Sequence, residues 1–155
     1  MTKGRNKMIR RSHQERRGAT AVEMSIALPV FLMLVFGIFD YGRLFMTRHM
    51  MDSAVREATR YAVVKTDTAT VATVKAVAAK DLDAVKNNFV GSTYTTDVFY
   101  VDTTGAKQYP FTAAPWGQSI GVSADANYRP IFSVLFAGSS SIPLKSACYM
   151  LSEGN

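Results

Sequence analysis

Cysteine is almost absent from this chain. Cys148 is the only one in 155 residues, so no disulfide can form within the chain and packing must hold whatever fold it has. Histidine is nearly as scarce, with His13 and His49 far apart in sequence and neither near Cys148. A metal centre or a Cys-His nucleophile pair would need such groups clustered. No HExxH, phosphate-loop glycine pattern or nucleophile elbow occurs either. These absences argue against an enzyme, and no metal and no cofactor are expected. Met46, Met50 and Met51 crowd together, but a soft-metal site would want further ligands and a supporting shell, so they read as helix packing. Ser139, Ser140 and Ser141 beside Gly138 have flexible-loop composition, and Trp116 is a loop aromatic between Pro115 and Gly117. Cys148 sits in an apolar, strand-like run and reads as a small core residue.

Net charge is also missing from most of the chain. Lys3, Arg5, Lys7, Arg10, Arg11, Arg16 and Arg17 stand against Glu15 alone, which accounts for the whole formal charge of +6 within residues 1–17. From Gly18 onward acids and bases balance. A basic tail can touch anionic lipid or nucleic acid. With no second basic surface, nucleic acid is not expected as a partner.

Next to the basic tail lies an apolar run, Ala19–Phe39, of 21 residues. As helix it measures about 31 Å, the thickness of a bilayer's hydrocarbon core. The basic flank then stays cytoplasmic and the remainder is exported. No small-x-small cleavage site ends the run, so it is expected to remain as an anchor and not to leave as a secretory signal. Glu23 is the single formal charge inside it. A carboxylate in a spanning helix costs about 2.5–3.5 kcal/mol, which implies a use for the charge. Pro29, also inside, is expected to kink the helix without breaking it.

Beyond Asp40 the helical period persists. Tyr41, Leu44, Phe45, Met51, Val55, Ala58 and Ala62 recur at three, four and seven, while Arg43, Arg48, Asp52, Arg56, Glu57 and Arg60 fill the other faces. One helix is therefore expected over 19–64, transmembrane over 19–39 and amphipathic afterward. Residues 1–18 form a polar leader without periodicity, with 1–17 expected to be disordered. Residues 65–155 form an exported α+β head. Thr66, Asp67 and Thr68 offer N-caps for a second helix carrying Val71, Val74, Ala78, Leu82, Val85 and Phe89, with Asn87, Asn88 and Gly91 at its end. Strands are expected from Tyr94 to Val101, from Ser119 to Tyr128 and from Pro143 to Leu151, with a turn at Asp102–Gly105. The strand over 119–128 alternates, which predicts exposed polar partners. Ile131–Phe136 reads as a short turn of helix or a loop packed on the sheet. The head alone is small for a self-sufficient core, and the long helix would supply the missing face. The expected architecture is α+β: a long helix, a second helix and a small antiparallel sheet of about three strands.

Arg16-Arg17-Gly18-Ala19, with a glutamate at the fifth position after the glycine and then an apolar helix, resembles a class 3 signal of the type IV pilin superfamily. Arg17–Glu23, Leu28-Pro29, Phe39-Asp-Tyr-Gly-Arg43 and Arg56–Ala62 together resemble the TadE-like family, pseudopilins of the tight-adherence (Flp, type IVc) pilus machinery. The likeness covers about residues 16–64 and is only an outline beyond. It implies an inner-membrane, single-pass protein with a cytoplasmic N-terminus and a periplasmic or otherwise extracytoplasmic head. It also implies a prepilin peptidase cutting between Gly18 and Ala19, with Arg16 and Arg17 flanking the cut. The partners implied are other pilins and pseudopilins through the N-terminal helix, the pilus platform and the lipid bilayer. Glu23 would then be the assembly carboxylate, facing its own chain's Ala19 amine or a neighbour's. Pro29, Gly42, Arg43 and Arg60 fall at family positions, although Arg43 and Arg60 read equally as solvated charges pairing with Asp40 and Glu57. The usual type IV pattern has phenylalanine after the glycine, where this chain has Ala19. Without the resemblance, the same residues describe a permanently signal-anchored envelope protein whose exported domain binds a ligand or surface.

Overall fold

The computed structural model describes residues 5–66, 68–115, 117–132 and 138–152, with the backbone alone for 5–17 and Ala19. Its elements are α1 (Arg5–Val64), α2 (Val71–Val85), and four strands, β1 (Phe89–Val101), β2 (Lys107–Gln108), β3 (Ser119–Tyr128) and β4 (Ile142–Leu151). By internal contacts the chain divides into two units, Met1–Phe39 and Asp40–Asn155. The architecture is α+β as the periodicity predicts. The sheet has one more strand than expected, because the two-residue β2 is too short to carry any alternation.

α1 ends at Val64, where the apolar stripe ends, but it starts at Arg5 and not at Ala19. The leader expected to be disordered is helical from Arg5 on. Its Arg, Lys, Gln, Glu and Met residues are good helix formers, and a helix nucleated in the apolar run extends backward through them at little cost. Pro29 does not interrupt the helix.

In the second unit one face of α1 supplies Met51, Ala54, Val55, Ala58 and Ala62 to the core, all at most 1 % exposed. Three of these five side chains are alanines. α2 adds Val74, Ala78, Leu82 and Val85. Its N-cap is Thr70 and not the 66–68 stretch, of which Asp67 lies outside the described residues. The Thr73 amide donates to Thr70 Oγ1 at 3.2 Å and the Thr70 amide donates to Thr73 Oγ1 at 2.9 Å. That reciprocal pair is a capping box with threonine at the third position. Phe89 and Gly91, expected on or after this helix, belong to β1.

The sheet is antiparallel in the order β2-β1-β3-β4. Near its start β1 carries a wide bulge: Phe89 pairs with Tyr128 and Tyr94 with Ala126, so Val90, Gly91, Ser92 and Thr93 face Asn127 alone. Gly91 at φ +65° and Ser92 at φ +53° turn the chain there through the left-handed region, where glycine has no steric penalty. The inner face of the sheet, with Val98, Ile120, Val122, Ala124, Tyr128 and Leu144, closes the core against the helices. Cys148 packs half-buried at its edge, as a small core residue.

The other face of β3 departs from simple alternation. Gly121 and Ser123 are buried too, where exposed partners were expected. The cause is Phe99, fully buried on that face, with Tyr149 and Tyr109 edge-on to its ring at 5.9 and 6.4 Å. Lys107 Nζ stands 4.0 Å from the Phe99 ring centre, a cation–π contact. The rings need Gly121: an added Cβ would lie 2.8 Å from Phe99 and 2.9 Å from Tyr149.

Candidate functional site

The N-terminal half of α1 offers surface, not a pocket. An 18-residue window has mean hydropathy 2.3 and none of it is buried within the chain. Val22, Met24, Ile26, Leu28, Val30, Phe31 and Leu34 are all exposed, and Glu23 is exposed among them. Ser25 gives its hydroxyl to the Val22 carbonyl at 2.7 Å, which satisfies that polar group inside the helix itself. Gly18 lies on α1 with open space where a Cβ would be. The side chains of Arg16, Arg17 and Ala19 lie outside the described residues. Pro29 and Gly42 are exposed on the helix, and a Cβ at Gly42 would meet nothing within the chain.

Where the apolar run stops, the chain builds a buried polar cluster. Asp40 is 1 % exposed although it is the first charged residue after the run. Its Oδ1 accepts the Tyr128 hydroxyl at 2.8 Å. Its Oδ2 accepts the backbone amides of Ile131 and Phe132, both at 3.0 Å. Three donors thus satisfy the oxygens of this buried side chain, as a buried polar group requires. Burial pushes the Tyr128 phenol up, and the Asp40 carboxylate it donates to acts in the same direction. The hydroxyl therefore remains a donor at any ordinary pH.

Arg43, one helical turn on, belongs to the same cluster and does not pair with Asp40. Its Nε donates to Asn88 Oδ1 at 2.9 Å, and its guanidinium lies 5.6 Å from the Tyr128 ring centre. Asn88 Nδ2 donates to Thr47 Oγ1 at 2.8 Å, and that hydroxyl donates back to the Arg43 carbonyl at 2.8 Å. The Asn88 carbonyl takes the Arg129 amide at 2.8 Å. Residues 40, 43 and 47 share one face of α1 by their spacing, so a short stretch of helix ties the end of α2 and the end of β3 together. Arg60, by contrast, is exposed, and among the described residues it makes no ion pair with Glu57. Of the methionines, Met51 is core, Met50 is half-buried and Met46 is exposed.

Asp40, Thr47, Asn88 and Tyr128 are members of this cluster to which sequence alone assigns no site role. A signal was present. Asp40 and Thr47 lie on the apolar face of the amphipathic helix, in phase with Leu44 and Met51, and a polar residue there must find a buried partner. Elsewhere, an open hollow of about 320 Å³ lies beside the β1 bulge, with Lys145 and Asp125 at its rim 3.8 Å apart. An exposed pair of that kind contributes little. Among the described residues no group of three or more histidine, cysteine or acidic side chains is placed to hold a metal ion.

Residues 18–60 match a family model described as TadE-like protein. No curated protein and no solved structure matches the chain. The matched segment begins at Gly18 and contains Glu23, Pro29, Asp40, Gly42, Arg43, Thr47 and Arg60. This stretch of the chain is TadE-like, and with its long, exposed apolar helix it marks a membrane-anchored protein.

Proposed function

We propose that this protein is a minor, pseudopilin-like component of a tight-adherence (Flp, type IVc) pilus, structural and non-enzymatic, that serves assembly or initiation. A prepilin peptidase removes the leader between Gly18 and Ala19 on the cytoplasmic side. The helix from Ala19 stays in the inner membrane beside other pilin helices and the platform, and the head works outside. The observation that carries this reading is a TadE-like segment whose apolar half is left bare by its own chain, with one carboxylate, Glu23, on it. A bare apolar helix needs lipid or other helices around it. A charge within it needs a partner, and the amine freed at Ala19 of a neighbouring subunit is the one that assembly would supply. Pairing across chains would set the register of one helix against the next.

A second reading, a permanent signal anchor whose exported domain binds a ligand or surface, draws on one feature. α1 runs unbroken through Gly18 back to Arg5, so a peptidase must unwind helix to reach the bond. N-terminal sequencing of membrane-extracted protein separates the two: a chain starting at Ala19 supports processing, and one starting at Met1 or Thr2 supports the anchor. For Glu23, the Glu23→Gln variant is expected to be processed and inserted but to lose piliation. Normal piliation by that variant would remove Glu23 from the assembly role.

A further inference from the structure

Asp40 fixes more than the fold of the head. Phe39 ends the apolar run, and the next residue holds the Ile131 and Phe132 amides at 3.0 Å. The turn after β3 is therefore tied to α1 at the level where the apolar run ends. Pro130 in that turn is buried, but Arg129 and Ile131 point outward, Ile131 being 63 % exposed. On α1 just past Asp40 the side chains of Tyr41, Phe45 and Met46 are exposed as well, while Arg43 and Leu44 between them are half-buried against the head. Polar side chains take over that surface from Arg48. Asp40 to Met46 is about 9 Å of helix axis, close to the roughly 5–8 Å thickness of one leaflet's headgroup region.

The distribution of these side chains around the axis selects the partner. At about 100° per residue, Tyr41 and Met46 lie roughly 140° apart on α1, and Ile131 stands on the remaining side, where the head is docked. A packed partner helix would cover one stripe along the axis. A girdle at one level is what a plane covers. Tyrosine, phenylalanine and arginine at that level are the residue types that settle in a membrane's interfacial zone.

We propose that the turn Arg129–Phe132 is a membrane-interface foot of the head. Ile131 enters the boundary between headgroups and acyl chains, Arg129 meets lipid phosphates, and Tyr41, Phe45 and Met46 complete the belt. The Asp40–Tyr128 cluster sits behind this foot and fixes its height, so the head is held against the bilayer surface. The inference rests on α1 being a membrane anchor, and the test separates the two claims.

The full chain, with Trp116→Phe to remove the native tryptophan, is reconstituted into vesicles of phosphatidylcholine and phosphatidylglycerol. Single tryptophans are introduced by Ile131→Trp, Tyr41→Trp, Phe31→Trp and Thr103→Trp. The last lies in the turn after β1, about 30 Å of strand from Tyr128 and therefore clear of the bilayer. Nitroxide groups are carried on lipid near the headgroup or at mid-chain. Positions 131 and 41 are expected to emit to the blue and to be quenched most by the shallow label, position 31 by the deep label, and position 103 by neither. Quenching at 31 and 41 with none at 131 would overturn the foot and leave the anchor standing. No quenching at 31 would overturn both. If Ile131→Trp loses the far-ultraviolet signature of the fold, Arg129→Trp reports on the same turn by the same criterion.

Discussion

At the scale of single residues, Asp40 and Gly121 carry the strongest constraints. Asp40→Ala would take the acceptor from two backbone amides and leave the Tyr128 hydroxyl only the residue-40 backbone carbonyl, 3.3 Å away, whereas Tyr128→Phe removes only one of the three donors. Tyr128→Phe is expected to cost about 1–3 kcal/mol in chemical denaturation of the detergent-solubilised chain, and Asp40→Ala distinctly more. The phenol also sets a pH expectation. Its folded pKa lies above the unfolded value, so its contribution is complete below the ordinary tyrosine range and is lost as pH rises past it. In an alkaline titration followed near the tyrosinate absorbance, Tyr128 is expected to ionise only as the head unfolds. Gly121 is constrained by shape: Gly121→Ala places a Cβ against a Phe99 ring that is fully buried and cannot swing away. The expected loss is about 1–3 kcal/mol, read as a lowered Tm.

At the scale of elements, each helix and turn has its own stop and start. The capping box closes α2 at Thr70, and Thr70→Ala is expected to cost about 0.5–2 kcal/mol in the same denaturation experiment. The turn after β1 closes on Asp102, whose carboxylate takes the Thr104 hydroxyl and the Thr104 and Ala106 amides. The Thr104 hydroxyl, and after it the Ala106 amide, holds the Asp102 carboxyl at about 2, well below the usual carboxylate range. A depressed folded pKa means that this support is present above the ordinary value and lost as pH falls toward 2. The protection of the Thr104 and Ala106 amides, taken relative to their intrinsic exchange rates, is therefore expected to be lost only in strong acid. The α1 stripe shows how a helix boundary is read from sequence. Its C-terminal end at Val64 was plain because the period stops there, while its start at Arg5 was not, because polar helix formers carry no period.

At the scale of the whole molecule, the core of the head includes five side chains from α1 that precede residue 65. A fragment covering residues 40–155 keeps Met51, Ala54, Val55, Ala58 and Ala62 and is expected to unfold cooperatively on heating. A fragment of 65–155 leaves the inner face of the sheet without its cover, and is expected to show no cooperative transition by calorimetry. The long helix is thus both the anchor and one wall of the domain it carries.

The sequence by itself determined the membrane helix, the single charge within its apolar run, the amphipathic continuation, the second helix and three of the four strands. Each of those is set by periodicity or run length along a contiguous stretch. Only the tertiary structure decided that Asp40 is buried and that Arg43 turns to Asn88 and Tyr128 and not to its helical neighbour. It alone decided that Phe99 is covered on the outer face and that Ile131 is pinned level with residue 40. Those facts join residues that are tens of positions apart, and the choice among polar partners depends on which donor the folded chain brings within 3 Å.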